Sequence, residues 1–252
     1  MAPTNCIKID RNLLTAVAGA LLLFPLQSHS QDYSEAYSVV RGGQLYDKWF
    51  TVAKHSTKPE GPNPAYPKDG KYLGQKGADW RCKECHGWDY AGAAGAYNKS
   101  NKHFTGIKGI EGMQGADIAA VVAVLEDDRH GFGGVGLNAR DLQDLALFVS
   151  KGQVDVGRLV DLQSRKSNGD MARGQAYYEV MCSTCHGMDG RYDDNMKPVG
   201  HFATGNPWET LHKIRFGHPG SEMTPMHLLG ADIANDVLAY IQTLPTEMEK
   251  PK

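Results

Sequence analysis

The sequence predicts an all-α chain built as two tandem units of unequal length. Two observations carry this. The pentapeptide C-x-x-C-H occurs twice, at Cys82-Lys83-Glu84-Cys85-His86 and at Cys182-Ser183-Thr184-Cys185-His186, with matching segments around each copy. Near the end of each unit, apolar residues recur at helical spacing: Leu142, Leu145, Ala146 and Val149, then Ile233, Val237, Leu238 and Ile241.

The chain has 252 residues, room for one large domain or two small ones. Its net charge of −2 disfavours nucleic acid as a partner. Five cysteines are too few to staple a chain of this length with disulfides.

The N-terminus has the layout of a secretory signal. Lys8 and Arg11 precede a largely apolar run, Leu13 to Phe24, which Pro25 ends. Ser28 and Ser30 put small residues where a signal peptidase reads. Residues 1–30 are expected to be cleaved. The run is shorter than the roughly 20 residues a spanning helix needs, and no later segment is apolar enough, so no membrane span is expected after cleavage. Cys6 leaves with the signal.

Every remaining cysteine belongs to a C-x-x-C-H motif, the attachment pattern of haem c. Two thiols on one turn of backbone can meet the two vinyl groups of one porphyrin, and the next residue sets an imidazole under the iron. A thioredoxin-like redox pair sits in a βαβ context, which neither motif has. A four-cysteine zinc site needs the pairs about 15–20 residues apart, whereas Cys82 and Cys182 are 100 apart. Two covalently bound haems are therefore expected, on Cys82, Cys85 and His86, and on Cys182, Cys185 and His186.

The surrounding repeat is legible. Arg41-Gly42-Gly43-Gln44-Leu45-Tyr46 matches Arg173-Gly174-Gln175-Ala176-Tyr177-Tyr178. His86-Gly87-Trp88-Asp89 matches His186-Gly187-Met188-Asp189. His103 and His201 correspond, and Asp144-Leu145-Ala146-Leu147-Phe148-Val149 answers Asp236-Val237-Leu238-Ala239-Tyr240-Ile241. On these motifs the chain resembles a tandem of two class I cytochrome c domains. The first would occupy 31–158, and the linker with the second 159–252. The resemblance implies a first helix whose small glycine crosses an aromatic residue of the last helix, as Gly42 with Phe148 and Gly174 with Tyr240. His103 and His201 would be pocket-edge residues bonded to haem propionates or backbone, or simply exposed loop histidines.

Tyr46 precedes Cys82 by 36 residues, but Tyr178 precedes Cys182 by only 4. The first unit thus carries an insertion at about 49–79. Its prolines and glycines predict an irregular loop, either functional or wrapped over the first haem. Lys151 to Asn168 reads as a linker, with Leu159, Val160 and Leu162 packing across both domains.

The family resemblance places the distal iron ligand between the last two helices. In the second unit Asn206 and Pro207 open a helix that stops at Phe216, and the next begins near Ala231. The loop between holds Met223, whose distance from Tyr240 resembles that of a class I methionine ligand; Met226 and His218 are the alternatives. Met223-Thr224-Pro225 departs by one residue from the family's Met-Pro. In the first unit a helix over Ala116 to Glu126 and a last helix from near Asn138 flank a loop with His130 and no methionine. His130 is the expected ligand, with Met113 and His55 as rivals. The metal set is then His86 and His130, His186 and Met223.

Two six-coordinate haems imply a c-type cytochrome that transfers single electrons between redox protein partners. Methionine ligation raises a haem's potential relative to histidine, so electrons would enter at haem 1 and leave from haem 2. The resemblance also implies attachment in the periplasm. The alternatives are a dihaem oxidoreductase, thiosulfate dehydrogenase-like or peroxidase-like, or a haem subunit of a dehydrogenase complex. The lack of a spare mature cysteine weighs against a cysteine-ligated thiosulfate enzyme.

Overall fold

A computed structural model describes residues 29–192 and 196–248, with side chains from 35 onward. The signal expected over 1–30 lies outside the described residues, save the backbone of its last two. Among the described residues the structure is helical. Strand pairing is limited to two isolated bridges, Gly92 with Lys108 and Val160 with Ser167.

The first unit is built on α1 (His29–Val52), which runs past position 49 before the irregular insertion begins. The helix kinks at Lys48. The motif Cys82–His86 forms the single turn α2. Helix α3 (Ile118–Glu126) starts where Asp117 accepts the Ala120 amide. Helix α4 (Ala139–Leu147) is closed at its start by a reciprocal capping box between Asn138 and Asp141, and it continues as a π-helical turn over Phe148–Gly152.

Helices α1 and α4 cross at Gly42. A Cβ there would strike the Asp144 carbonyl and the Phe148 Cβ, so only glycine permits the approach. Arg41 locks the crossing, bonding Asp144 at 2.7 Å and also Asp141. Leu45, Tyr46, Trp49, Leu145 and Phe148 fill the space beneath.

The second unit repeats this plan. Asp170 caps α5 (Met171–Met181), and the motif turn α6 (Ser183–His186) follows with no insertion. Then come α7 (Val199–Gly205), α8 (Pro207–Phe216), capped by Asn206, and α9 (Ala231–Ile241). Gly174 crosses α9 against the Asp236 and Val237 backbone rather than Tyr240. Tyr240 packs on Tyr178 instead, ring centres 5.3 Å apart. Arg173 bonds Asp236 at 2.5 Å, the counterpart of Arg41 with Asp144.

The halves meet through α1 and α8. Trp208, Leu211, His212, Arg215 and Phe216 form one buried face of α8. The linker buries Val156, Leu159 and Val160. It is tied to the second half by Arg158 with Asp232 at 2.9 Å and by the Ser167 hydroxyl to the Asn235 carbonyl at 2.9 Å.

Candidate haem sites

The two motif turns are built alike. Each ends at a glycine in a conformation other residues rarely adopt: Gly87 at φ 78, ψ 162 and Gly187 at φ 77, ψ 161. A buried tyrosine hydroxyl then donates to that glycine's carbonyl, Tyr46 to Gly87 at 2.6 Å and Tyr178 to Gly187 at 2.8 Å. The repeat read from the sequence thus recurs as a repeated set of contacts.

Cys82, Cys85 and His86 line a cavity of about 810 Å³. Its walls are largely apolar, with Met113, Val121, Leu125, Phe132, Leu145 and Val149 among them. Burial pushes the Cys82 and Cys85 thiols up to about 12, so neither is a thiolate near neutrality. All four motif cysteines are free of disulfides. Among the described residues no three His, Cys, Asp or Glu side chains converge on a point as a zinc site requires.

His130 stands across this cavity from His86. The ring centres are 6.3 Å apart and the planes 25° from parallel. An imidazole nitrogen sits about 2.0 Å from a metal it ligates, so two imidazoles on opposite sides of one ion have ring centres about 6 Å apart. The gap therefore suits an ion between them. Each Nδ1 is already engaged: His86 with the Lys108 carbonyl at 2.8 Å, His130 with the Asp127 carboxylate at 3.0 Å. Those partners make Nδ1 the protonated nitrogen and leave both Nε2 lone pairs for a metal. Burial lowers the His86 imidazole to about 4, keeping it neutral. An apolar slot, two thiols on one turn and two facing imidazoles fit a covalent haem.

The rivals of His130 are placed differently. His55 points away, its Nε2 3.0 Å from the Asp141 carboxylate. Met113 lines the cavity wall.

The insertion closes one side of the cavity. Asn63, Ala65, Asp79 and Trp80 line it. The buried Asp79 carboxylate accepts the amides of Asn63 at 2.8 Å and Gly74 at 2.9 Å. Trp80 donates to the Gly61 carbonyl at 3.0 Å and accepts from Trp49 Nε1 at 2.8 Å. The segment thus lies along the cavity that Cys82, Cys85 and His86 line.

The second motif is more open. Cys182 is half-buried and Cys185 exposed, and burial raises the Cys182 thiol to about 11. Apolar Met188 and Tyr192 follow the motif, 59% and 73% exposed, and Tyr192 lies against Gly187. Exposed apolar side chains beside a motif turn suit a flat apolar cofactor laid over them. Met223 is half-buried in the loop between α8 and α9. Met226 is in the core at 3% exposure, its amide bonded to the Ile214 carbonyl at 2.9 Å, and His218 is exposed. Among the described residues no contact joins His186 and Met223 as the ring pair joins His86 and His130.

His103 and His201 do not share a role. His103 bonds the buried Glu84 carboxylate at 2.5 Å and is stacked between Tyr72 and Tyr97, with ring centres 4.4 and 4.7 Å away. His201 contacts Lys197 and the edge of Phe202. The sequence reading passed over His212, which is 2% exposed at the junction of the halves. It bonds the Tyr90 hydroxyl and the Gly43 carbonyl, each at 2.9 Å. Its place four residues after Trp208 and four before Phe216, on one helix face, was the available signal.

Residues 169–241 match the protein family described as cytochrome c oxidase, cbb3-type, subunit III. Among solved structures, a chain of the Kuenenia stuttgartiensis reducing HAO-like protein complex is similar at 15% identity. The alignment covers 71% of this chain and 98% of that one, with a TM-score of 0.28. No curated protein matches the chain. The match over 169–241 makes that segment a cytochrome c domain, which implies covalent haem c, iron and redox protein partners. No helix among the described residues is long and apolar enough to cross a membrane.

Proposed function

We propose that the chain is a dihaem c-type cytochrome, with one haem domain over 31–158 and a second, with its linker, over 159–252. Haem c supplies a one-electron iron centre held by two thioethers. Cys82, Cys85 and His86 would hold the first, with His130 as its second imidazole ligand. Cys182, Cys185 and His186 would hold the second, with Met223 as its further ligand.

The observation that carries this reading is the His86–His130 pair, facing across an apolar cavity beside Cys82 and Cys85 with both Nε2 atoms available. The residues' own work is positional. Lys108 and Asp127 fix the two ring tautomers. The insertion shields the cavity from water on the side of Asn63 and Trp80. With His130 opposite His86, the site is built for electron transfer rather than for binding a substrate at iron. Methionine ligation by Met223 would give a second haem the higher potential, which would favour electron entry at the first site and exit from the second, between redox protein partners. The signal over 1–30 directs the chain to the periplasm, where the haems are attached.

The test is intact-mass measurement of protein matured with the haem c attachment machinery. The expected product carries two haems and lacks the first 30 residues. A single haem, with one C-x-x-C pair still free, contradicts the dihaem reading.

A further inference from the structure

Helix α1 belongs to both sites. One face, at Gly42, Leu45, Tyr46 and Trp49, packs within the first unit, and Tyr46 lines the first cavity. The neighbouring face, at Gly43, Gln44, Asp47 and Thr51, meets the second unit, with Asp47 also paired to Arg81 of the first. The Gly43 carbonyl accepts from His212 Nε2 at 2.9 Å, and Asp47 pairs with Lys213 at 3.0 Å. Gly43, Gln44 and Asp47 recur at helical spacing before the kink at Lys48 and Thr51 follows it, so α1 presents faces to both units.

The second face reaches the loop that carries Met223. Gln44 Nε2 donates to the carbonyl of Phe216, the last residue of α8, at 3.0 Å. A carbonyl at a helix C-terminus lacks a partner within its own helix, and here the partner comes from the other half of the molecule. A Cβ on Gly217 would lie 3.2 Å from that Gln44 nitrogen and 2.6 Å from the Met223 carbonyl. A Cβ on Gly220 would lie 2.8 Å from Thr51 Cγ2. Both glycines have φ of 79°, a conformation that lets the loop lie close against α1. At its far end the loop is tied to its own unit by the Met226 amide and the Ile214 carbonyl. Met223 therefore sits on a short span between two anchors, and the first anchor is α1 of the other unit.

We infer that Gln44 and Thr51, in the first half, are positioning residues for the Met223 loop of the second. The inference rests on the reading of Met223 as the distal ligand. A thioether is a weak ligand, so its bond to iron depends on the backbone that presents it. Through α1, the packing around the first cavity and the distal side of the second site then share one element.

The test uses full-length holoprotein: wild type, Gln44→Leu, Gln44→Lys and Thr51→Phe, compared by near-infrared spectroscopy and redox titration. Gln44→Leu removes the donor and is expected to weaken the methionine–iron band and lower the higher potential, leaving the bis-imidazole signal unchanged. Gln44→Lys returns a donor and is expected to restore the band. Thr51→Phe, at a half-exposed position, pushes on Gly220 and is expected to act like Gln44→Leu; it keeps the test open should that variant fail to fold. The wild-type band and potentials in both Gln44→Leu and Thr51→Phe overturn the inference, even if stability has fallen. A wild-type protein with no methionine band overturns the Met223 reading itself, and this inference with it.

Discussion

The imidazoles of His86 and His130 face each other across 6.3 Å, centre to centre, at 25° from parallel. They come from motif turn α2 and from the loop after α3, 44 positions later in the chain. Each ring is oriented by its own Nδ1 partner, the Lys108 carbonyl or the Asp127 carboxylate. Fixing both tautomers costs backbone and side-chain freedom that a solvated histidine keeps. The arrangement is accounted for if both Nε2 atoms address one metal.

Replacing His130 tests that pair directly. His130→Ala is expected to convert the first haem from low spin to a high-spin or water-ligated state, with the second haem unchanged. His130→Met is expected to raise the first potential. Electron paramagnetic resonance of the ferric proteins reads the spin state, and an unaltered spectrum in His130→Ala counts against His130 as a ligand.

The glycine crossings should respond alike in both halves. Gly42→Ala drives a methyl into the Asp144 carbonyl and Phe148, and Gly174→Ala drives one into the Asp236 carbonyl. Each is expected to cost about 1–3 kcal/mol of stability as overpacking. Chemical denaturation checks this, and a neutral substitution at either site contradicts the close crossing there.

Stability should fall on mild acidification because of His212. Burial lowers its imidazole to about 3 in the folded protein, against about 6.5 when unfolded. The unfolded chain therefore takes up the proton first. The contribution is whole above about pH 6.5 and declines as pH falls towards 3, by up to about 1.4 kcal/mol per pH unit. His212→Gln can still donate to Gly43 and accept from Tyr90 without titrating. Its melting temperature is expected to vary less across that window, and an equal slope in both proteins assigns the effect elsewhere.

The insertion should loosen when Asp79 is removed. Asp79→Ala leaves the Asn63 and Gly74 amides without their acceptor, at about 1–3 kcal/mol for groups kept from water. Hydrogen exchange is expected to quicken by tenfold or more over residues 60–75 and to stay unchanged in α5 and α9. Unchanged exchange at Asn63 and Gly74 rules out Asp79 as the clasp.

What the sequence revealed follows from how local each signal is. Helix ends at Asn138, Asn206 and Phe216 were readable because caps, prolines and glycines act within one turn. The motif turns and the glycine crossings were readable because each occurs twice. The position of His130 in the repeat marked it as a candidate ligand, but the ring pair with His86 needed the fold. His212 was hidden because a histidine on a helix face gives no sign of being buried until the partner helix is known. The partners of His103 were hidden for the same reason: Tyr72 and Glu84 are contributed by the insertion and by the motif itself, and repeat position carries no trace of the insertion. Tyr240 packs on Tyr178 and leaves the Gly174 crossing to the Asp236 backbone, so a matched pair of sequence positions made different contacts in the two halves.

The most direct test is near-infrared magnetic circular dichroism of the oxidised protein, which distinguishes bis-histidine, histidine–methionine and high-spin haems in one spectrum. The prediction is one bis-histidine haem and one histidine–methionine haem in equal amounts. Two methionine-ligated haems, a high-spin haem, or a single haem contradicts the assignment of His130 and Met223 across from His86 and His186.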